Sequence, residues 1–229
     1  MLQAGGHQLM KLQDGFIVKP TKSSEVQFYQ TYLNRYPSLS KFVPKFHKTG
    51  LTSEIKHLFT TVEYKTIIEK KYTHYIALEN LTPTSMNVID LKLGCIHWRS
   101  DASTESIENH KNRNRLSITN RHKFRLDGAI IDNITYHKED CRNMTIDDVK
   151  SIISTIPKPH INTINDWINK LSKILSDTDL NIYGPSMLIM YDHANVTIKL
   201  IDFTTYETSH KRRDDILESL KSIRNLLNN

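Results

Sequence analysis

Short apolar runs flank a turn signal near the start of the chain. Residues 16–18 (Phe-Ile-Val) follow Asp14-Gly15, a dipeptide typical of tight hairpin turns, and Leu9 and Leu12 precede it. The pattern predicts a β-hairpin over residues 8–19.

A helical spacing of apolar residues comes next and predicts a helix over residues 23–36. Ser23 or Ser24 is expected to cap this helix, and Glu25 falls in its first turn, where the helix dipole favours a carboxylate. The apolar residues that share one face are Val26, Tyr29 and Leu33.

Strand-like apolar runs follow and predict a small, mostly antiparallel lobe that contains the one helix. These runs cover residues 42–47, 55–62, 75–78 and 88–93.

The second half of the chain alternates between helical and strand patterns. Helices are predicted at residues 101–114, 145–156, 162–175 and 215–227, and strands at residues 124–131, 186–191 and 196–203. Thr145 is the expected cap of the second of these helices, and Pro157 and Pro159 are expected to end it. Mixed helices and antiparallel strands indicate the α+β class.

The composition is that of an ordinary globular protein. Its 229 residues, 38% of them hydrophobic, suffice for one compact unit or two small lobes. No apolar run approaches the ~20 residues of a membrane helix, and no signal pattern opens the chain, so we expect no membrane insertion. Cys95 and Cys141 have no metal-ligand spacing, which favours a reducing compartment, the cytoplasm or the nucleus.

A net charge of +6 favours an anionic partner, although solubility alone would explain it equally well. The longest basic run is Lys211-Arg212-Arg213, and the basic stretch from Asn109 to Arg125 offers only Phe124 as an interleaved aromatic residue. Nucleic acid therefore ranks below a small polyanion as the partner.

The residue types that phosphoryl transfer requires occur in order along the chain. Gly5, Gly6 and His7 could cradle phosphates with their backbone N–H groups. Lys19 could place its charge on a nucleotide phosphate if Glu25 holds it. A flexible terminus and a solvated lysine are the simpler alternatives for each feature taken singly.

Two strands carry the remaining candidates. Asp90 and Lys92 lie at positions i and i+2 of a strand and therefore share a face. Asp202 closes the apolar strand of residues 196–203, a suitable place for a metal-binding carboxylate. The alternatives are a structural ion pair and an ordinary turn residue. Glu79 and Leu81, which follow an apolar strand, could offer backbone groups to an adenine edge.

In this order, the segments resemble the inositol polyphosphate kinase family. The family signature Pro-x-x-x-Asp-x-Lys-x-Gly is matched at Asp90, Lys92 and Gly94, with Met86 in place of the proline. Its Ser-Leu-Leu element resembles Ser186-Met187-Leu188, and its Ile-Asp-Phe motif is present at residues 201–203. The opening Gly-Gly-His is most similar to hexakisphosphate kinases.

The resemblance implies a two-lobed α+β fold distantly like protein kinases and ATP-grasp proteins, with antiparallel sheets in each lobe. The expected division is a lobe of residues 1–82, with the phosphate loop and hinge, and a lobe of residues 83–229. An inserted helical segment at residues 99–116 would bind the inositol phosphate, although a solvated polar helix is the plainer interpretation.

The resemblance also implies residue roles, with ATP and Mg²⁺ as cofactors and a monomeric protein. Catalysis would use Asp90, Lys92, Asp202 and Ser186, and Asp202 would bind the metal. The nucleotide would be contacted by Gly5, Gly6, His7, Lys19, Glu25, Glu79, Leu81 and Asp202. The acceptor would be contacted by Lys92, Ser106, Asn109, His110, Arg113 and Lys123.

The expected activity is phosphorylation of inositol hexakisphosphate to a diphosphoinositol phosphate. The alternative is a multikinase or trisphosphate 3-kinase that phosphorylates ring hydroxyls. A catalytically dead inositol-phosphate-binding module is a third interpretation, because Met86, Met187 and Thr205 depart from the family pattern.

Overall fold

The computed structural model describes residues 9–81, 86–115, 117–209 and 214–228, except for the side chain of Arg113. The described residues fall into two compact units, of residues 9–81 and 86–228. The predicted phosphate loop of Gly5, Gly6 and His7 lies outside the described residues.

The first unit contains a four-stranded antiparallel sheet in the order β1-β2-β4-β3. Its strands are β1 (Lys11–Gln13), β2 (Phe16–Thr21), β3 (Phe46–Leu51) and β4 (His74–Glu79). The predicted hairpin is confirmed: Asp14 and Gly15 have φ angles of 51° and 81°, as two-residue hairpin turns require.

The predicted helix over residues 23–36 forms, with an unexpected middle turn. It consists of α1 (Ser23–Gln27), a π-helical turn (Phe28–Tyr32) and α2 (Leu33–Arg35). The serine cap is wrong, because Ser23 is already helical and Lys22 occupies the cap position without a side-chain hydrogen bond.

The strand predicted at residues 55–62 is wrong. A 3₁₀ segment (Thr52–Leu58) leads into α3 (Thr61–Glu69), which has a capping box: Thr60 Oγ1 accepts from Glu63 N, and the Glu63 carboxylate accepts from Thr60 N. This local capping outweighs the apolar run. The strand predicted at residues 42–47 also begins later, since β3 starts at Phe46.

One apolar cluster holds the first unit together by packing the sheet against the 3₁₀ segment and α3. Its buried members are Leu9, Val18, Ile55, Phe59, Ile67, Tyr75 and Ala77.

The second unit is built on a five-stranded antiparallel sheet in the order β10-β9-β5-β6-β7. Its strands are β5 (Asn87–Leu93), β6 (Phe124–Ile131), β7 (Ile134–Tyr136), β9 (Ser186–Tyr191) and β10 (Val196–Ile201). A separate pair joins β8 (Leu180–Ile182) to β11 (Tyr206–Thr208). The strands predicted for this part of the chain are confirmed, except that β10 ends two residues earlier than predicted, whereas the short strands β7, β8 and β11 were not predicted.

Six described helices accompany these sheets. They are α4 (Thr104–Arg115), α5 (Thr119–His122), α6 (Lys138–Cys141), α7 (Ile146–Ile153), α8 (Lys158–Ser176) and α9 (Asp215–Leu227). Helix α8 packs on β10 and on α9, and α9 packs on β5 and β6. These helices thus cover the central strands β5 and β6 and the edge strand β10.

The helix termini follow the sequence signals in part. Thr145 caps α7 as predicted, since its side chain accepts from Asp148 N. The prolines were expected to end that helix, but α7 already ends at Ile153, and Pro157 and Pro159 lie at the start of α8. Proline is well tolerated there because the first helical N–H groups have no intrahelical acceptor.

The α+β class with antiparallel sheets is therefore confirmed. Within the described residues, no helix is both long and apolar enough to cross a bilayer.

Candidate active site

Strand β5 places Asp90 and Lys92 on one face of the second unit's sheet. Opposite Lys92 in the strand register lie Arg125 on β6 and Ser186 on β9. Residues directly opposite each other in a sheet share a face, so three predicted residues, Asp90, Lys92 and Ser186, lie together. On the other face of β5, the fully buried Ile89, Leu91 and Leu93 anchor the strand in the core.

Asp202 joins this face from the end of β10. Lys92 Nζ lies 3.5 Å from Asp202 Oδ2, and the Asp202 side chain is 40% exposed. Asp202 has a φ of 69°, a conformation that is uncommon in non-glycine residues and often found at functional sites. Lys92 and Asp202, which the sequence analysis proposed for the site separately, are thus in direct contact.

Asp90 is buried among charges. Burial, together with the Asp127 and Asp202 carboxylates, raises the pKa of Asp90 to about 7 against the opposing charge of Lys92. The Ser186 hydroxyl is near enough to favour the carboxylate slightly. Even so, Asp90 Oδ1 and Ser186 Oγ make no hydrogen bond of normal geometry to any described residue. Buried unpaired polar atoms are rare, and at a functional site they mark a place where a ligand can supply the partner.

Three charged residues that the sequence analysis did not single out belong to the same face. A bulge in β6 between the partners of Asp90 and Leu91 leaves Asp127 unpaired in the register. Asp127 accepts from Arg125 Nε at 3.2 Å and from Lys138 Nζ. Burial opposes ionisation of Asp127, but Lys138 and Arg125 together lower its pKa below the ordinary value.

Part of this group had a sequence signal. Arg125 and Asp127 are at positions i and i+2 of a predicted strand, the same spacing that identified Asp90 and Lys92. Lys138 had none, because it reaches Asp127 from α6 only after the β6–β7 turn has reversed the chain.

Helix α4 carries the predicted acceptor-binding residues Ser106, Asn109 and His110, and the side chain of Arg113 lies outside the described residues. His110 packs against His97 and Trp98, with ring centroids 5.8 and 5.7 Å apart. Helix α4 is thus connected through aromatic contacts to the segment that follows β5.

His97 links these aromatic residues to the charged face. Burial lowers its pKa to about 3, with the charges of Arg125 and Lys92 contributing, so the imidazole is neutral. Its ring lies so close to Gly184 that a Cβ there would approach Nδ1 to 2.1 Å, and Gly184 has a φ of 57°. A glycine is therefore required at this position.

Lys123 lies just before β6 rather than on it. It terminates α5 with a φ of 64°, and its Nζ is 3.9 Å from Glu218 Oε2 on α9. Its side chain is partly exposed. Its contact with the acceptor stays a prediction.

In the first unit, the expected contact between Lys19 and Glu25 is present. Lys19 Nζ donates to Glu25 Oε1 at 3.1 Å, and Thr21 donates to the other carboxylate oxygen. Glu25 is only 1% exposed, so this carboxylate holds Lys19 in a fixed position. Glu79 ends β4, its carboxylate accepts from Lys45 N at 2.8 Å, and Leu81 follows two residues later.

The described residues do not form a self-sufficient metal site. No group of three or more His, Cys, Asp or Glu side chains is arranged to hold a metal ion in the described ranges. Mg²⁺ in nucleotide enzymes usually binds one or two carboxylates together with phosphate oxygens and water. The partly exposed Asp202 fits that mode.

Comparisons with known proteins agree on one family. The model of the inositol polyphosphate kinase family matches residues 75–228. The inositol polyphosphate multikinase of Schizosaccharomyces pombe is 26% identical over 231 aligned positions, which cover 87% of this chain and 85% of that protein.

Solved structures show the same fold. The inositol phosphate multikinase from S. cerevisiae, determined with ADP and Mn²⁺, superimposes with a TM-score of 0.71 at 16% identity and covers 93% of this chain and 97% of its own. A second inositol phosphate multikinase structure gives a TM-score of 0.68 at 19% identity, over 89% and 98% of the two chains.

The pair formed by Asp127 and Lys138 should contribute measurably to stability. Lys138→Met leaves the buried Asp127 carboxylate with Arg125 alone, so we expect a loss of about 2 kcal/mol in the free energy of unfolding. Asp127→Asn combined with Lys138→Met should recover much of that loss. Urea unfolding measures both. Lys65→Met, which breaks the exposed Lys65–Glu69 pair, is the control and should cost less than about 0.5 kcal/mol. Equal losses in the single and double variants would show that the pairing itself matters little.

Burial of Asp90 should make stability depend on pH. Because its folded pKa of about 7 exceeds the ordinary 3.8, the unfolded chain loses this proton first, and stability falls as pH rises between those values. Asp90→Asn removes this loss. Between pH 4 and pH 8, the free energy of unfolding of the variant relative to the wild type should therefore rise by on the order of a few kcal/mol. Thermal or urea unfolding without metal measures this difference. Asp166→Asn, at an exposed carboxylate of α8, should show no such trend. A pH-independent difference for Asp90→Asn would mean that Asp90 is ionised in the folded protein.

Proposed function

Because the chain belongs to the inositol polyphosphate kinase family, we propose that it transfers a phosphoryl group from ATP to a ring hydroxyl of a partly phosphorylated inositol. The S. cerevisiae relative was solved with ADP and Mn²⁺. This supports ATP and a divalent metal such as Mg²⁺ as the cofactors of the present protein.

The observation that carries this proposal is the contact between Lys92 and Asp202. It brings a fixed cation and a partly exposed carboxylate together from two strands that are far apart in sequence. Lys92 is suited to stabilising negative charge on the transferred phosphoryl group. Asp202 is suited to holding Mg²⁺, which when bound neutralises charge on the nucleotide phosphates.

Asp90 favours a hydroxyl as the acceptor. A hydroxyl must lose its proton during transfer, and a carboxyl group with a pKa of about 7 is a better proton acceptor at neutral pH than an ordinary aspartate. The phosphate of a fully phosphorylated inositol is already ionised and requires no base. We therefore assign Asp90 to the acceptor hydroxyl, with Ser186 beside it.

A ring hydroxyl as the acceptor was the alternative that the sequence left open, and hexakisphosphate was its main expectation. The likeness to hexakisphosphate kinases rested on the opening Gly-Gly-His, which lies outside the described residues. The S. pombe relative and the two relatives of known structure are multikinases. Together these observations favour ring hydroxyls over hexakisphosphate.

The remaining predicted residues keep their roles as proposals. Lys19, held by Glu25, would bind nucleotide phosphates, and Glu79 and Leu81 would contact the base. On α4, His110 and its neighbours at helical spacing would contact the acceptor, with Arg113 and Lys123 adding positive charge. A monomeric state and a cytoplasmic or nuclear location remain predictions.

A turnover assay across inositol phosphates tests the activity directly. Purified protein, radiolabelled ATP and Mg²⁺ should label inositol trisphosphates and tetrakisphosphates in preference to hexakisphosphate. Phosphorus NMR should then identify the new group as a phosphomonoester.

The other outcomes are equally informative. A diphosphate signal formed from hexakisphosphate as the preferred acceptor would restore the main expectation of the sequence analysis. No labelling of any inositol phosphate, with inositol phosphate binding retained, would indicate the catalytically dead module.

A further inference from the structure

The segment of residues 94–103 connects the end of β5 to the start of α4. It begins two residues after Lys92 and leads to the helix that carries Ser106, Asn109 and His110. The course of this segment therefore sets where α4 lies relative to the charged face.

Helix α9 holds the start of this segment. Cys95 N and Ile96 N both donate to Asp215 Oδ2, at 2.6 and 2.7 Å. One turn further along α9, Ser219 Oγ lies 2.8 Å from Gly94 N. Three consecutive backbone N–H groups are thus directed at two side chains of one helix, and Gly94 N also donates to Lys123 O at 2.8 Å.

Gly94 fits this contact closely. Its φ is 82°, and a Cβ at this position would lie 2.5 Å from Asp215 Oδ2. A side chain would therefore collide with the carboxylate and would also strain the backbone. The glycine permits Asp215 to approach the chain this closely.

Helix α4 binds the carbonyl side of the Cys95–Ile96 peptide, whose N–H donates to Asp215. Asn114, which is 7% exposed and lies one residue before the end of α4, donates from Nδ2 to Cys95 O at 2.6 Å. The backbone of Cys95 is consequently fixed from both sides, by α9 through its N–H and by α4 through its C=O.

Asp215 is well suited to this task. It is the first residue of α9, where the helix dipole favours a carboxylate, and hydrogen bonds from N–H groups to a charged oxygen are about twice as strong as neutral ones. Burial raises its pKa, and the two N–H groups oppose that rise.

We propose that Asp215 is a positioning residue for acceptor binding. Through the peptides at Cys95 and Ile96 it fixes the start of the β5–α4 connection, and thereby the position of α4 relative to the charged face, without touching the acceptor. The proposal rests on the proposed function, in which α4 binds the acceptor.

The test compares Michaelis constants for the acceptor and for ATP. Asp215→Ala removes the acceptor of both N–H groups, so the KM for the inositol phosphate should rise by about tenfold or more, while the KM for ATP changes less than about twofold. Asp215→Asn keeps an oxygen for the two N–H groups and should restore the acceptor KM to near the wild-type value.

Asp148→Ala is the matched control. Asp148 also accepts two hydrogen bonds at a helix start, from Thr145 N and Thr145 Oγ1, but on α7. Its loss should lower the melting temperature and leave both KM values unchanged. If Asp215→Ala only lowers the melting temperature in the same way, or raises both KM values equally, the positioning role is refuted.

Asn114→Ala is a second variant in case Asp215→Ala does not fold. It frees the opposite side of the Cys95 peptide and should give the same rise in the acceptor KM alone. An unchanged acceptor KM in this variant would contradict the proposal.

Amide hydrogen exchange separates this proposal from the proposed function. If the wild-type protein phosphorylates no inositol phosphate, the function fails, but Asp215→Ala should still speed exchange in residues 94–115 more than elsewhere. Unchanged exchange in that segment would overturn the positioning role as well.

Discussion

The alternation of side chains along β5 is the constraint on which the candidate active site depends. Ile89, Leu91 and Leu93 are fully buried on one face and leave the strand little freedom to shift. A shift of one residue would exchange the two faces, placing Asp90 and Lys92 in the apolar core at a large desolvation cost. The same packing that stabilises the second unit therefore determines where the charged residues of the candidate site lie.

Charges on that face are tolerated because most of them are paired. Arg125 and Lys138 neutralise Asp127, and Lys92 contacts Asp202. Asp90 has no comparable partner among the described residues, and burial beside the carboxylates of Asp127 and Asp202 raises its pKa. A protein selected for stability alone would gain by replacing such a group with an apolar one, so its presence favours a role in the reaction.

Sequence reasoning predicted what depends on local pattern. Strand alternation located the Asp90 and Lys92 pair, and the turn dipeptide Asp14-Gly15 located the first hairpin. It failed where two local signals competed, as in residues 55–62, where the Thr60 capping box prevailed over an apolar run. It also missed contacts made only by tertiary folding, such as that of Lys138 with Asp127 and the approach of Asp215 to Gly94. No periodicity records such contacts, because their partners are distant in sequence.

We propose that Lys92 stabilises the transferred phosphoryl group, and steady-state kinetics of Lys92→Met test this role most directly. Methionine keeps most of the side-chain volume and removes the charge, and Lys170→Met on the exposed surface of α8 is the control. We expect kcat of Lys92→Met to fall by about a hundredfold or more, with the KM for ATP nearly unchanged. A variant that keeps its kcat and loses only affinity for ATP would contradict it.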